Sequence, residues 1–362
     1  MENIRKNSVF GIRKAILTLV LAVITLNTFG SQAKHDTESH TSHGETEEKF
    51  DAVKMIMHHI SDAHEFHVAG DIHIALPIIL YSKDKGLNIF SSSAFHGGAT
   101  VHGYKMGHHG IEDEHGHHSP GLIELFSGHI GFYDFSITKN VFSLMLSAVI
   151  LLLIFTSVAS KYKKQGLNSA PKGFQNLIET LIVFVRDEIA KPNISDSKVS
   201  KFLPYLLTIF FFVWINNLIG LIPFFPFSAN LTGNIAFTLT LAVCTMVVTN
   251  LNGNKDYWGH IFWMPGVPAP MKIVLAPIEL IGVFTKPFAL MVRLFANITA
   301  GHIIILSLIS IIFIMGASWA ALSGPLTLFM NVLELLVAFL QAYVFTLLSA
   351  LFIGQATEEH HH

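Results

Sequence analysis

Lys286-Pro287-Phe288-Ala289-Leu290-Met291-Val292-Arg293-Leu294-Phe295-Ala296-Asn297-Ile298-Thr299-Ala300-Gly301-His302 sets one arginine in the middle of an apolar segment. Between Ile273 and Ile353 only Glu279, Lys286, Arg293 and Glu334 are formally charged. A charge at the bilayer centre costs roughly 2.5 to 3.5 kcal/mol even on a lenient scale, so each of the four is a functional candidate. Glu279 and Lys286 lie nearer the start of their helix, where a long side chain such as that of Lys286 can also snorkel to the interface. Arg293 has no such route, because about 20 residues, or roughly 30 Å of helix, separate it from the start near Lys272.

Glu279, Lys286 and Arg293 are spaced by seven, so they drift by only about 20° per step and share one helical face. Asn297 joins that face one turn further on. His302, nine residues past Arg293, falls about 180° away at ~100° per residue. On the following apolar segment Glu334 and Gln341, again seven apart, share a stripe. If the two segments pack antiparallel and turn between Gly316 and Gly324, His302 and Glu334 come level with each other. A lone intramembrane histidine is often a satisfied packing residue, but here a carboxylate is available for a buried ion pair or proton relay.

The rest of the 362-residue chain fits this reading. It is 51% hydrophobic and 13% charged, about half the roughly 25% charge of soluble domains. Of the 48 charged residues, 38 fall in the first 200 positions. The net charge of −2 and the lack of a long basic run argue against nucleic acid as a partner. Cys244, the single cysteine, excludes an intrachain disulfide and sits in an apolar stretch where packing is its role.

The predicted architecture is an all-α integral membrane protein with five transmembrane spans, at about 141–160, 202–222, 232–250, 273–315 and 325–354. Phe202 to Asn254 holds no Asp, Glu, Lys or Arg and reads as a hairpin broken at Pro223-Phe224-Phe225-Pro226. Asn216, Asn217, Asn234 and Thr238 place amides and a hydroxyl at membrane depth, for interhelical hydrogen bonding or for ion passage. The last two spans exceed the ~20 residues of one crossing and must tilt strongly or follow a partner surface. Trp258 and Trp263, in a Gly- and Pro-rich loop, read as interface anchors. Eight Lys or Arg between Lys161 and Lys201 place that loop, and with it the C-terminus, in the cytoplasm. Within it, residues 174–190 form an amphipathic surface helix, with Leu177, Leu181, Phe184, Val185 and Ile189 opposite Glu179, Arg186 and Asp187.

The N-terminus carries Arg5, Lys6, Arg13 and Lys14, a 12-residue apolar run from Ala15 to Leu26 and the small-residue site Ser31-Gln32-Ala33. Residues 1–33 are therefore expected to be a secretory signal peptide, the alternative being an uncleaved anchor. Residues 34–136 then form a small extracytoplasmic region holding 16 of the 21 histidines. These histidines and acids, as in Glu112-Asp113-Glu114-His115-Gly116-His117-His118, can bind Zn²⁺ or Cu²⁺ or form a solvated buffering tract. The spacing is irregular and assigns no metal site. Alternating residues in His67–Tyr81 and Leu87–Phe90 predict two or three short strands. Residues 137–356 are the membrane domain, and 357–362 a polar tail whose histidines are native or a tag.

At Pro277-Ile278-Glu279-Leu280, Lys286-Pro287, Arg293-Leu294-Phe295-Ala296-Asn297 and Ala300-Gly301-His302, then Glu334 and Leu340-Gln341-Ala342-Tyr343-Val344-Phe345, the sequence resembles subunit a of F-type ATP synthases. The resemblance covers about residues 137 to 354, including Asn216-Asn217-Leu218. It implies a non-catalytic stator in the bacterial inner membrane, with no cofactor, that forms two offset half-channels for protons against a rotating c-ring and contacts peripheral-stalk subunit b. Arg293 then matches the essential arginine facing the ring carboxylate. Glu279 matches the acid of the cytoplasmic exit path, and Asn297, His302, Glu334 and Gln341 match the path by which protons enter. Lys286, Asn217, Asn234 and Tyr343 are supporting positions. Many relatives carry Glu in place of His302 and His in place of Glu334, and some carry Asp at Gly220. The competing class, a divalent-metal transporter with a His-rich exported sensor, is expected to carry His and acid pairs at i, i+4 within its spans; none exists here.

Overall fold

The computed structural model describes residues 51–69, 72–83, 85–107, 110–114, 131–165, 171–222, 226–227, 229–264 and 266–358. The expected signal peptide, most of the polar tail and His115, His117 and His118 lie outside the described residues. The chain builds a small β-rich module followed by a helical bundle.

The module opens with helix α1 (Ala52–Ile60) and strands β1 (Glu65–Ala69), β2 (Ile72–Ala75), β3 (Pro77–Ser82) and β4 (Gly86–Ser91). Three more strands, β5 (Tyr104–Gly107), β6 (Gly110–Asp113) and β7 (Tyr133–Asp134), were hidden in sequence by the glycine- and histidine-rich composition around them. The pairing is antiparallel throughout, as two hairpins, β1-β2 and β5-β6, and a sheet of order β4-β3-β7. Alternation along β3 points Ile78 and Leu80 into a core with Phe95, Tyr104, Ile111 and Phe132.

This module is locked to α2 (Lys139–Gln165), the first long apolar helix among the described residues. Asp62 Oδ1 accepts from the backbone N–H of Asn140 at 3.2 Å, and Lys139 N–H donates to Ala63 O at 2.9 Å. The ring of Phe66 meets Phe142 edge-on at 5.5 Å. Burial pushes the Asp62 carboxyl above its usual range, against the lowering effect of its hydrogen bonds and of Lys139.

Helix α3 (Phe174–Phe184) continues through a π-helical turn at Val185–Ala190 into Lys191–Asn193. Gln175, Ile178, Val185 and Ile189 face inward, while Leu177, on the apolar face expected to lie toward the membrane, is exposed. The π turn changes the helical register of the residues after Phe184. Hydrogen bonds from Arg186 and Lys191 hold the Asp187 carboxyl well below the usual carboxylate range.

Helix α4 (Asp196–Gly220) is the hub of the bundle. Its phenylalanines reach three neighbours: Phe211 meets Phe155 of α2 at 5.1 Å, and Phe212 meets Phe237 of α5 (Ile235–Leu251) at 5.7 Å. Phe210 meets Phe339 of the last helix, α8 (Ala320–Thr357), at 5.8 Å. Between α5 and α8 come α6 (Lys255–Phe262) and the 47-residue α7 (Ala269–Met315). The loop expected around Trp258 thus holds a helix, bent 104° from α5. Among the described residues four helices, α2, α4, α7 and α8, are long and apolar enough to cross a membrane, and five spans result if α5 with α6 counts as one.

Helices α7 and α8 run about 70 Å and 57 Å at 1.5 Å per residue, far beyond a ~30 Å hydrocarbon core. They form a hairpin whose corner is Gly316, at φ +92°, where a residue with a Cβ is strained. Gly324-Pro325, expected to mark the start of the last span, lies inside α8 instead. Pro325 falls early in that helix, where its missing N–H forfeits one ladder bond without ending the helix.

Candidate functional site

His302 of α7 and Glu334 of α8 meet across the hairpin, both buried, with His302 Nδ1 hydrogen-bonded to Glu334 Oε1. On its other side His302 Nε2 lies 3.2 Å from the carbonyl of Gly220, the last residue of α4. A carbonyl oxygen only accepts, so Nε2 must carry a proton and donate to it. The contact to Glu334 then holds one proton, either on Nδ1 facing a carboxylate or on the carboxyl facing a neutral imidazole.

The close approach of Glu334 rests on Gly301, which sequence reading had not singled out. A Cβ at residue 301 meets Glu334 Oε1 at 3.0 Å and its carboxyl carbon at 3.2 Å. The signal was present in Ala300-Gly301-His302, two small residues beside the histidine. At Gly220 a Cβ reaches nothing closer than 3.6 Å.

Arg293 and Asn297 project from the open face of α7, both exposed, while Leu290, Met291, Leu294 and Ile298 pack inward. The pair His302–Glu334 is on the packed side, as the nine-residue spacing from Arg293 predicts. Among the described residues, no carboxylate lies within ion-pair distance of Arg293. The surface around it is apolar, with Phe288 and Val292 on α7 and Val332, Leu336 and Leu340 on α8 exposed.

Glu279 is half-buried nearer the start of α7. Lys286 is exposed but bridged, with Nζ donating to Gln355 Oε1 at 3.4 Å and sitting 5.6 Å from the centre of the Phe352 ring. A cavity of about 20 Å³, room for one water, lies here between α5, α6, α7 and α8. Thr249, Asn250, Tyr257 and Lys286 line it, and Tyr257 donates to Asn250 Oδ1 at 3.1 Å.

Gln341 is buried on α8, two turns from Glu334. The remaining positions are brought to separate places. Asn217 Nδ2 donates to Ala338 O at 3.0 Å and ties α4 to α8. Asn234 Oδ1 accepts from Ala236 N–H at 2.9 Å and caps α5. Tyr343 is half-buried against Phe184, ring centres 5.8 Å apart.

Fold and site together define a multi-pass membrane protein with a buried titratable pair on one side of a long helical hairpin and an exposed guanidinium on the other. A family model described as ATP synthase A chain matches residues 141–354, and one described as a domain of unknown function matches residues 55–122. The chain is 40% identical, over its whole length and 97% of the relative, to an ATP synthase subunit a of Chlorobium phaeobacteroides (strain DSM 266 / SMG 266 / 2430). It is 47% identical to the ATP synthase subunit a of Chloroherpeton thalassium, covering 70% of this chain and 77% of that one. Against ATP synthase subunit a 2 of Chlorobaculum tepidum the identity is 49%, covering 66% and 68%. The chain belongs to the ATP synthase subunit a family.

Proposed function

We propose that this chain, as a proton-translocating stator subunit of an F-type ATP synthase, divides its work between the two sides of α7. The observation that carries this reading is the His302–Glu334 pair, proton-locked by the Gly220 carbonyl, on the helix that exposes Arg293 on its open face. The family membership leaves the metal-transporter alternative without support.

The chain lies in the bacterial inner membrane with its N-terminal module outside, by the lysine and arginine count of the loop after α2. Protons enter past His302 and Glu334, with Gln341 and Asn297 further along, and leave past Glu279, near the small cavity at Tyr257 and Lys286. Arg293 is about 13 Å of helix from His302 and about 21 Å from Glu279. It stands between the two paths and faces the c-ring. Its fixed charge favours the ionised form of an arriving ring carboxylate, so that carboxylate gives up its proton before passing. The apolar surface around Arg293 is the face against which the ring turns, and subunit b is the second partner in the membrane.

The pair relays protons because its one shared proton can sit on either end without changing the net charge of the site. His302→Ala and Glu334→Ala are each expected to slow ATP-driven proton pumping strongly in vesicles carrying the whole complex. The exchange, His302→Glu with Glu334→His, should recover a substantial part of the rate. Wild-type pumping in either single variant, or an exchange in which the two losses simply add, contradicts a paired role.

A further inference from the structure

The sheet β4-β3-β7 packs one face on the module's core and leaves the other, largely apolar face unpacked. Alternation places Pro77, Ile79 and Tyr81 of β3, Leu87, Ile89 and, at the end, Ser91 of β4, and Tyr133 with the following Phe135 on the outer face. Leu87 and Ile89 are 61% and 62% exposed, Tyr81 and Phe135 44% each. The rings of Tyr133 and Phe135 stack at 6.2 Å and Tyr81 lies 6.5 Å from Tyr133. Asp134, the one charged residue of β7, points to the other face beside Leu80. An antiparallel sheet with one face in water carries polar residues there, and a contiguous apolar face marks a contact surface. Among the described residues no element covers it.

We propose that this face rests on the lipid surface, at the headgroup boundary of the leaflet where α2 begins. The sheet is continuous with α2. Phe135 precedes Lys139 by four residues, at most about 14 Å of chain. The connector is held to the sheet, with Phe135 and Ile137 N–H groups donating to Ile79 and Pro77 carbonyls at 2.8 and 3.1 Å. Asp62, Ala63 and Phe66 then fix the module to the first turn of α2. The 27 residues of α2 span about 40 Å, so its ends already stand in the headgroup layers outside a ~30 Å core. The outer face is therefore held at interfacial depth, where tyrosine and phenylalanine with aliphatic neighbours and no charge are the residues that partition. Met145, Val149 and Leu153 on α2 form an exposed apolar stripe of the same kind that continues into the bilayer.

The test is a nitroxide placed at Ile89→Cys, in a Cys244→Ser background, in the complete synthase reconstituted into phosphatidylcholine vesicles. Leu87→Cys serves as the second probe should the first fail to assemble, and Lys105→Cys on β5, half-exposed, as the water-facing control. Collision with oxygen should exceed collision with a water-soluble nickel chelate at residues 87 and 89, and the order should reverse at 105. Nickel accessibility at 89 equal to that at 105 puts the face in water and overturns the proposal. Shielding from both reagents overturns it too, by showing a protein cover: another subunit, a second copy, or this chain's own residues.

Discussion

Gly301 governs how closely Glu334 approaches α7, and so governs the hydrogen bond to His302. Gly301→Ala puts a methyl group 3.0 Å from the carboxylate, so the glutamate must shift by a few tenths of an ångström. We expect ATP-driven proton pumping to fall severalfold while assembly of the complex is preserved, and Gly301→Val to abolish pumping. Unchanged pumping in both variants contradicts the assigned geometry. At this scale the sequence was informative about Arg293, His302 and Glu334, because helical periodicity alone puts the first on the opposite side from the second and charge in an apolar run is conspicuous. The Gly220 carbonyl was illegible, since a backbone acceptor 82 residues from His302 carries no side-chain signature.

Among the elements, the C-terminal end of α8 has the tightest seat. A Cβ at Gly354 is 1.8 Å from the Asn193 carbonyl oxygen, a backbone atom that cannot rotate away. Lys198 Nζ and Asn254 Nδ2 donate to the Thr357 carbonyl at 2.7 and 2.9 Å, and Asn254 N–H donates to Ala356 at 2.9 Å, so orphan carbonyls of the helix end are satisfied by its neighbours. Gly354→Ala is expected to destabilise the subunit by about 1–3 kcal/mol or more, as overpacking does. Gly324→Ala, where a Cβ meets nothing within 4 Å, should be neutral or stabilising by up to ~1 kcal/mol. Thermal unfolding of the two purified variants separates these outcomes, and equal midpoints contradict the packing described. The long helices were legible from hydropathy, whereas the corner was not. Gly316 and Gly324-Pro325 are equally good punctuation in sequence, and packing, here with Ser323 Oγ bonded to Leu308 O, decides which one turns. Strands β5 to β7 escaped because their alternation is four residues long or less and sits in a glycine- and histidine-rich tract.

For the whole molecule, the proposed function requires that two proton paths stay apart. A proton crossing 100 mV releases about 2.3 kcal/mol, and a direct leak between the paths dissipates it. We propose that Arg293, exposed beside an apolar face and without a carboxylate partner among the described residues, is the fixed positive charge that prevents this. The measurement that bears most directly on the claim is ATP synthesis driven by an imposed proton gradient in vesicles carrying the complete complex with Arg293→Ala, with passive proton flux through the membrane sector followed in parallel. Synthesis is expected to be lost while passive flux persists or rises, as the proposed gating role requires. Synthesis at a near-normal rate in that variant contradicts it.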